Sequence, residues 1–168
     1  MSQLRTNSIV PVGGIPAGAS GGGIIQVVQT VKSDSFSASA TGTYVAVTGL
    51  SATITPRSTS NKILIIATVG HDGANNYQPW FHIYRGGSRI TPDGPSTGLT
   101  PSTSYTAAQS PADTRSMFIS QTFEYLDSPA STSALTYQIY GAKDSRAVTS
   151  LVVNPYGSSI ITLMEVSG

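Results

Sequence analysis

No cysteine occurs in the 168 residues, which removes disulfide scaffolds, thiolate metal sites and thiol nucleophiles together. Charge is scarce as well: 10% of residues are Asp, Glu, Lys or Arg, against ~25% in an average soluble protein. A net charge of +1 offers no electrostatic footprint for nucleic acid, so none is expected as a partner. No apolar run approaches the ~18–20 residues of a membrane span, and no basic-then-apolar secretory leader opens the chain. The expectation is a protein made in the cytoplasm, with no membrane insertion. No segment combines a helical apolar period with caps, so helices are not expected either.

Ser, Thr, Gly and Asn take the place of charge. A hydroxyl-rich, nearly uncharged surface leaves binding to contact-range hydrogen bonds and shape, with little long-range steering. A chain of this length is the size of one domain and buries roughly 68–70% of its unfolded surface, enough for a core without metals or bridges.

Residues 1–23, MSQLRTNSIVPVGGIPAGASGGG, differ from the rest. Pro11, Pro16 and the glycines at 13, 14, 18, 21, 22 and 23 deny this stretch a helix or a long strand. It still carries Leu4, Ile9, Val10, Val12 and Ile15. Ordering such a segment costs on the order of 20–45 kcal/mol of backbone freedom, whereas burying five aliphatic side chains returns roughly 8–15 kcal/mol. The sequence therefore predicts a docking arm that orders only where a partner adds backbone hydrogen bonds, as in strand addition. Leu4, Ile9, Val10, Val12 and Ile15 are its docking residues.

From Ile24 to residue 168 short β-rich runs alternate with turn clusters. IIQVVQTV (24–31) opens the module, and SFSASAT (35–41) alternates Phe36, Ala38 and Ala40 with Ser and Thr. Leu50, Ala52 and Ile54 alternate with Ser51, Thr53 and Thr55, the period-2 pattern of a strand with one wet face. KILIIATV (62–69) is apolar on both faces and reads as a central strand. WFHIYR (80–85), Gly86-Gly87 and SRIT (88–91) read as a tight hairpin, because two glycines permit the positive φ angles of its turn. Pro92, Pro95, Pro101 and Pro111 make 91–114 a long surface loop of the kind usually reserved for function. Strands resume at 117–125, 135–141, 149–154 and 159–166. Eight or nine strands imply an all-β fold, an antiparallel β-sandwich of jelly-roll-like type behind an extended N-terminal arm.

Signs of catalysis are weak. Gly94-Pro95-Ser96-Thr97-Gly98 fits the serine-nucleophile pattern formally, but it lies in a proline-rich loop without the strand before and helix after that the elbow requires. His71 and His82 could ligate a metal with Asp72 or Asp93. His82 shares a strand face with Trp80 and Tyr84, so a packed or hydrogen-bonded histidine is expected there, and His71 is expected to begin a loop, as a turn or rim contact. The acids Asp72, Asp93, Asp113, Glu124 and Asp127 are scattered, with no spacing that compels two carboxylates onto one substrate. No enzyme, metal or cofactor is expected. Tyr77 and Tyr105 fall on loops among Asn, Ser and Thr, a mixture suited to adaptable recognition. With Asn75, Asn76 and Asp93 they are the candidate ligand contacts. A free carbohydrate-binding module of the lectin type, using Asn75, Asn76, Tyr77, Trp80 and Asp93, is the rival reading.

The order of these signatures carries a resemblance over nearly the whole chain. The opening LRTNSIVPVGGIP, the run from GGGIIQVVQTV to NKILIIATV, the hairpin FHIYRGGSRI, the segment FEYLDSPASTSALTYQIYGAKDS and the ending NPYGSSIITLMEVSG resemble small virion structural proteins of tailed bacteriophages. These include tail-fibre and capsid-decoration proteins of marine and cyanobacterial phages. The resemblance implies a homotrimeric virion component, anchored to other capsid or tail proteins by its arm. Its sandwich would face outward toward a host surface glycan or solvent, and it would leave the cell by lysis. Unlike a long tail fibre, the chain has no shaft between arm and module.

Overall fold

The structure is a computed structural model and describes residues 23–40, 42–72, 79–92, 118–143 and 150–168. The expected arm therefore lies outside the described residues except for Gly23. The described residues form ten strands: β1 (Ile24–Lys32), β2 (Phe36–Ala38), β3 (Val45–Ile54), β4 (Lys62–Asp72), β5 (Pro79–Arg85), β6 (Ser88–Arg89), β7 (Phe118–Asp127), β8 (Leu135–Lys143), β9 (Leu151–Val153) and β10 (Ser159–Val166). All pairings are antiparallel.

Two sheets result. In the first, β4 pairs with β10 along one edge and with β7 along the other, as Ile65 shows by facing both Leu163 and Tyr125. His71 pairs with Ile119 of β7 and Val153 of β9, so β9 continues β10 along the same edge. On the far side of β10 and β9 run β1 and β2, two pieces of one interrupted ribbon. The second sheet has the order β3-β8-β5-β6. Counting each interrupted ribbon once gives four ribbons per sheet, and the chain passes between the sheets at most connections. This is the eight-stranded jelly-roll form of an antiparallel β-sandwich.

The inner faces follow from period-2 alternation. Leu50, Ala52 and Ile54 are buried as their spacing predicts, and they meet Ile63, Ile65, Ala67 and Val69 of β4, Ile161 and Leu163 of β10, and Phe81, Ile83, Tyr137 and Ile139 of the second sheet. β4 is central, as its continuous apolar run implies. The β5–β6 hairpin turns on Gly86 (φ 55°) and Gly87 (φ 84°), two positive φ values that side chains resist.

One expectation fails. His71 does not begin a loop; it is the penultimate residue of β4 and is 1% exposed. Pairing on both edges, to Ile119 and to Val153, carries the strand past the end of its apolar run and turns the imidazole into the core.

Candidate functional site

Tracing the strands separates two ends. Gly23, the β3–β4 connection, the Gly86-Gly87 turn, the β7–β8 connection and the C-terminus share one end, called the root. Asp72, Pro79, Thr91, Phe118, Lys143 and Leu151, together with the β2–β3 connection, share the other. The long connections 73–78, 93–117 and 144–149 all start and finish there. The candidate contacts Asn75, Asn76, Tyr77, Asp93 and Tyr105, and Ser96 and Asp113, lie on these connections, outside the described residues. The docking residues Leu4, Ile9, Val10, Val12 and Ile15, in the N-terminal segment, also lie outside the described residues. Their chain joins the module at Gly23, whose N–H donates to Ser167 Oγ (3.2 Å) and whose carbonyl accepts from Ser167 N (3.1 Å).

The root is held by polar side chains. Glu165 is buried on β10 and accepts from Asn61 Nδ2 (2.5 Å), Arg57 N (2.6 Å) and Gln26 Nε2 (2.6 Å). Burial works against its charge, but these donors outweigh it and hold the carboxyl below its usual range. Gln26 is on β1, so the same carboxylate ties the first strand and the β3–β4 connection to β10. Asp127 closes the opposite corner by accepting from Arg85 Nη1 (2.5 Å) and Tyr137 OH (2.7 Å) across the two sheets. Burial and the adjacent carboxylate push the Tyr137 phenol well up.

At the loop end the core contains two acceptors that find no partner among the described residues. His71 Nδ1 donates to the carbonyl of Asp72 (3.0 Å), which leaves Nε2 as an acceptor. Among the described residues Nε2 and Gln121 Oε1 are both buried without a hydrogen-bond partner. Gln121 pairs with Val69, so the two side chains are diagonal neighbours on the inner face, where a water molecule donating twice would satisfy both. Burial lowers the His71 pKa below its ordinary value, with the Asp72 carbonyl opposing.

The outer faces of the two sheets differ in kind. On the second sheet Tyr84 stacks on Tyr140 with centroids 3.8 Å apart, and Tyr44 meets His82 edge-on at 4.6 Å. His82 is hydrogen-bonded, as expected: its Nδ1 lies 2.8 Å from Thr91 Oγ1 and its Nε2 lies 3.5 Å from Arg89 Nη1. Because the guanidinium can only donate, Nε2 accepts and Nδ1 carries the proton. Trp80, His82 and Tyr84 share this outer face with Gln138 and Arg89, an aromatic platform edged by donors.

The first sheet presents aliphatic side chains. Register places Val27, Met164, Leu64 and Leu126 side by side across its four ribbons. The next outward row is Gln29, Thr162, Ile66 and Glu124, and the third is Val31, Ile160, Thr68 and Thr122. At the loop end the Phe118 ring lies over Gly70 and Gly157, where an added Cβ would meet it at 2.6 and 2.8 Å. Every large hydrophobic side chain exposed among the described residues belongs to this sheet or to the link between β9 and β10: Ile24, Val27, Val31, Phe118, Leu126 and Tyr156.

Sequence reasoning missed this face, Glu165 and Asn154. Asn154 has φ 55° and spans the seam between the interrupted ribbons. Its Nδ2 donates to the carbonyls of Lys32 (2.9 Å) and Asp34 (3.3 Å), its Oδ1 accepts from Ser159 Oγ (2.6 Å), and its N–H donates to Gly70 (2.8 Å). The available signal was Asn154-Pro155-Tyr156-Gly157, a turn-forming cluster between two β-rich runs. Among the described residues no three histidine or acidic side chains converge to hold a metal ion. Compared with known proteins, the chain matches no family model and no curated protein sequence.

Proposed function

We propose that this chain is a structural component of a tailed-phage virion, a surface-fibre or capsid-decoration protein that acts by assembling and binding. The observation that carries this reading is the separation of the two ends. The Gly/Pro-rich leader enters at the root, and the two connections that hold Asn75, Asn76, Tyr77, Asp93 and Tyr105, 73–78 and 93–117, begin and end at the other. A nine-residue β1 separates those ends by roughly 30 Å at ~3.3 Å per residue. Leader and loops can therefore engage different partners at once, a capsid or tail protein at one end and a host surface or solvent at the other. The module self-associates in this reading, as the trimer that the resemblance implies.

The test is a chain lacking residues 1–22 supplied to assembling particles. The truncated module should fold and be missing from purified virions. Truncated chain retained on virions would overturn the arm assignment, and intact chain absent from virions would overturn the virion reading. The aromatic outer face of the second sheet favours a second reading, a glycan-binding module. Glycan-array binding by purified chain that Tyr84→Ala and Tyr140→Ala abolish would support it.

A further inference from the structure

We infer that the outward face of the first sheet is covered in solution by a second copy of this chain. Four adjacent apolar side chains, Val27, Met164, Leu64 and Leu126, form a continuous band across all four ribbons. Ile66, Val31 and Ile160 extend it on one side. Four ribbons at ~4.8 Å and seven residues at ~3.3 Å give a flat footprint of about 19 by 23 Å. That is more than half of the ~800 Å² each partner contributes to a standard interface, before side-chain relief, Phe118 and Tyr156 are added.

Width selects the occupant. The chain's own leader, laid across this face as an extended strand, would cover about one ribbon's spacing of the four. A second sheet of the same width covers all of it. Charge points the same way. Lys62 lies one outward row to the root side of the apolar band, and Glu124 lies one outward row to the loop side. Neither makes an ion pair among the described residues. Two copies packed face to face with their strands reversed bring the Lys62 side of one over the Glu124 side of the other, so a self-match opposes unlike charges. The leader offers Arg5 as its sole charge. The inference concerns the purified chain and does not depend on the virion reading.

Sedimentation of the full chain tests it. The wild type should sediment as an oligomer whose dissociation constant rises at least about 30-fold in Leu126→Lys, the scale of an interface hot spot. Leu126 is already 49% exposed, so the fold tolerates the charge; circular dichroism and an unchanged unfolding midpoint verify that. Leu64→Lys should act in the same direction. Glu124→Lys should weaken association, and adding Lys62→Glu should restore it. An even-numbered oligomer supports the inference, since a face that meets its own copy pairs subunits two by two, and a trimer overturns it. A wild-type monomer at the highest soluble concentration overturns it, as does an oligomer indifferent to both leucine substitutions. If deletion of residues 1–22 dissociates the oligomer while Leu126→Lys does not, the leader and not this face holds the copies together, and the inference fails. A monomeric result would leave arm-dependent retention on particles untouched, so the two readings fail separately.

Discussion

Asn154 gives a prediction whose sign runs against ordinary strand chemistry. Its side chain makes three hydrogen bonds, two to carbonyls at the end of β1 and just beyond it and one from Ser159, in a site that is 3% exposed. At about 0.5–1.5 kcal/mol net per bond, removing them costs about 1.5–4.5 kcal/mol. The backbone adds a separate cost, because alanine at φ 55° is strained by about 1–2 kcal/mol where glycine is free. Asn154→Gly should therefore lose about 1.5–4.5 kcal/mol, and Asn154→Ala about 1 kcal/mol more. In a regular strand interior the order reverses, with alanine ahead of glycine by ~0.5–1 kcal/mol. Urea unfolding at constant m value reads the difference directly as a shift in midpoint. A double variant with Ser159→Ala should be non-additive by at least about 0.5 kcal/mol, since the two side chains share a bond. An alanine midpoint at or above the glycine midpoint would refute the left-handed seam. Additivity with Ser159 would refute the shared bond.

Two further predictions concern packing and pH. An alanine Cβ at Gly141 would meet Leu151 Cδ2 at 2.8 Å and Phe81 Cε1 at 3.0 Å. Both side chains are fully buried and β8 is paired on both edges, so Gly141→Ala should lose about 1–3 kcal/mol and roughly 2–10 °C in Tm. The clash at Gly70 is closer, 2.6 Å, but it falls on the ring of Phe118, which is 44% exposed and can swing away. Calorimetry should therefore rank Gly70→Ala as the milder change, and the opposite ranking would show the core to be the softer site. Burial holds the folded-state pKa of His71 below the ordinary histidine value of about 6.5, so the unfolded chain takes up the proton first as pH falls. Stability is complete above about pH 6.5 and declines below it, and His71→Gln should flatten that slope. An unchanged slope would place the acid sensitivity elsewhere.

What the sequence made legible was local. Alternation at Leu50, Ala52 and Ile54 assigned an inward face; the two-faced apolar run 62–69 assigned β4 to a central position; Gly86-Gly87 assigned a hairpin. Each signal lies within a few residues of what it predicts. The apolar band could not be read this way. Val27, Leu64, Leu126 and Met164 come from four distant segments, and only cross-strand register makes them neighbours. In sequence each is one more hydrophobic residue in a β-rich run. His71 was misplaced for a related reason: the pairing that extends β4 comes from Ile119 and Val153, and neither leaves a mark near position 71. Glu165 resembles any surface acid until Asn61, Arg57 and Gln26 surround it. The candidate contacts Asn75, Asn76, Tyr77, Asp93 and Tyr105 lie outside the described residues; proline density over 91–114 is a signal that says where regular structure is disfavoured without saying what takes its place.

The seven consecutive register pairs between β1 and β10, from Gln26 with Glu165 to Lys32 with Ser159, have a mechanical consequence. Their hydrogen bonds run across the strands. A pull that enters through Gly23 and is resisted at the far end of the sandwich acts along the strands, so the bonds are sheared together and cannot open one after another like a zip. If the leader is the tether, the module is mounted with its strongest axis in line with the load.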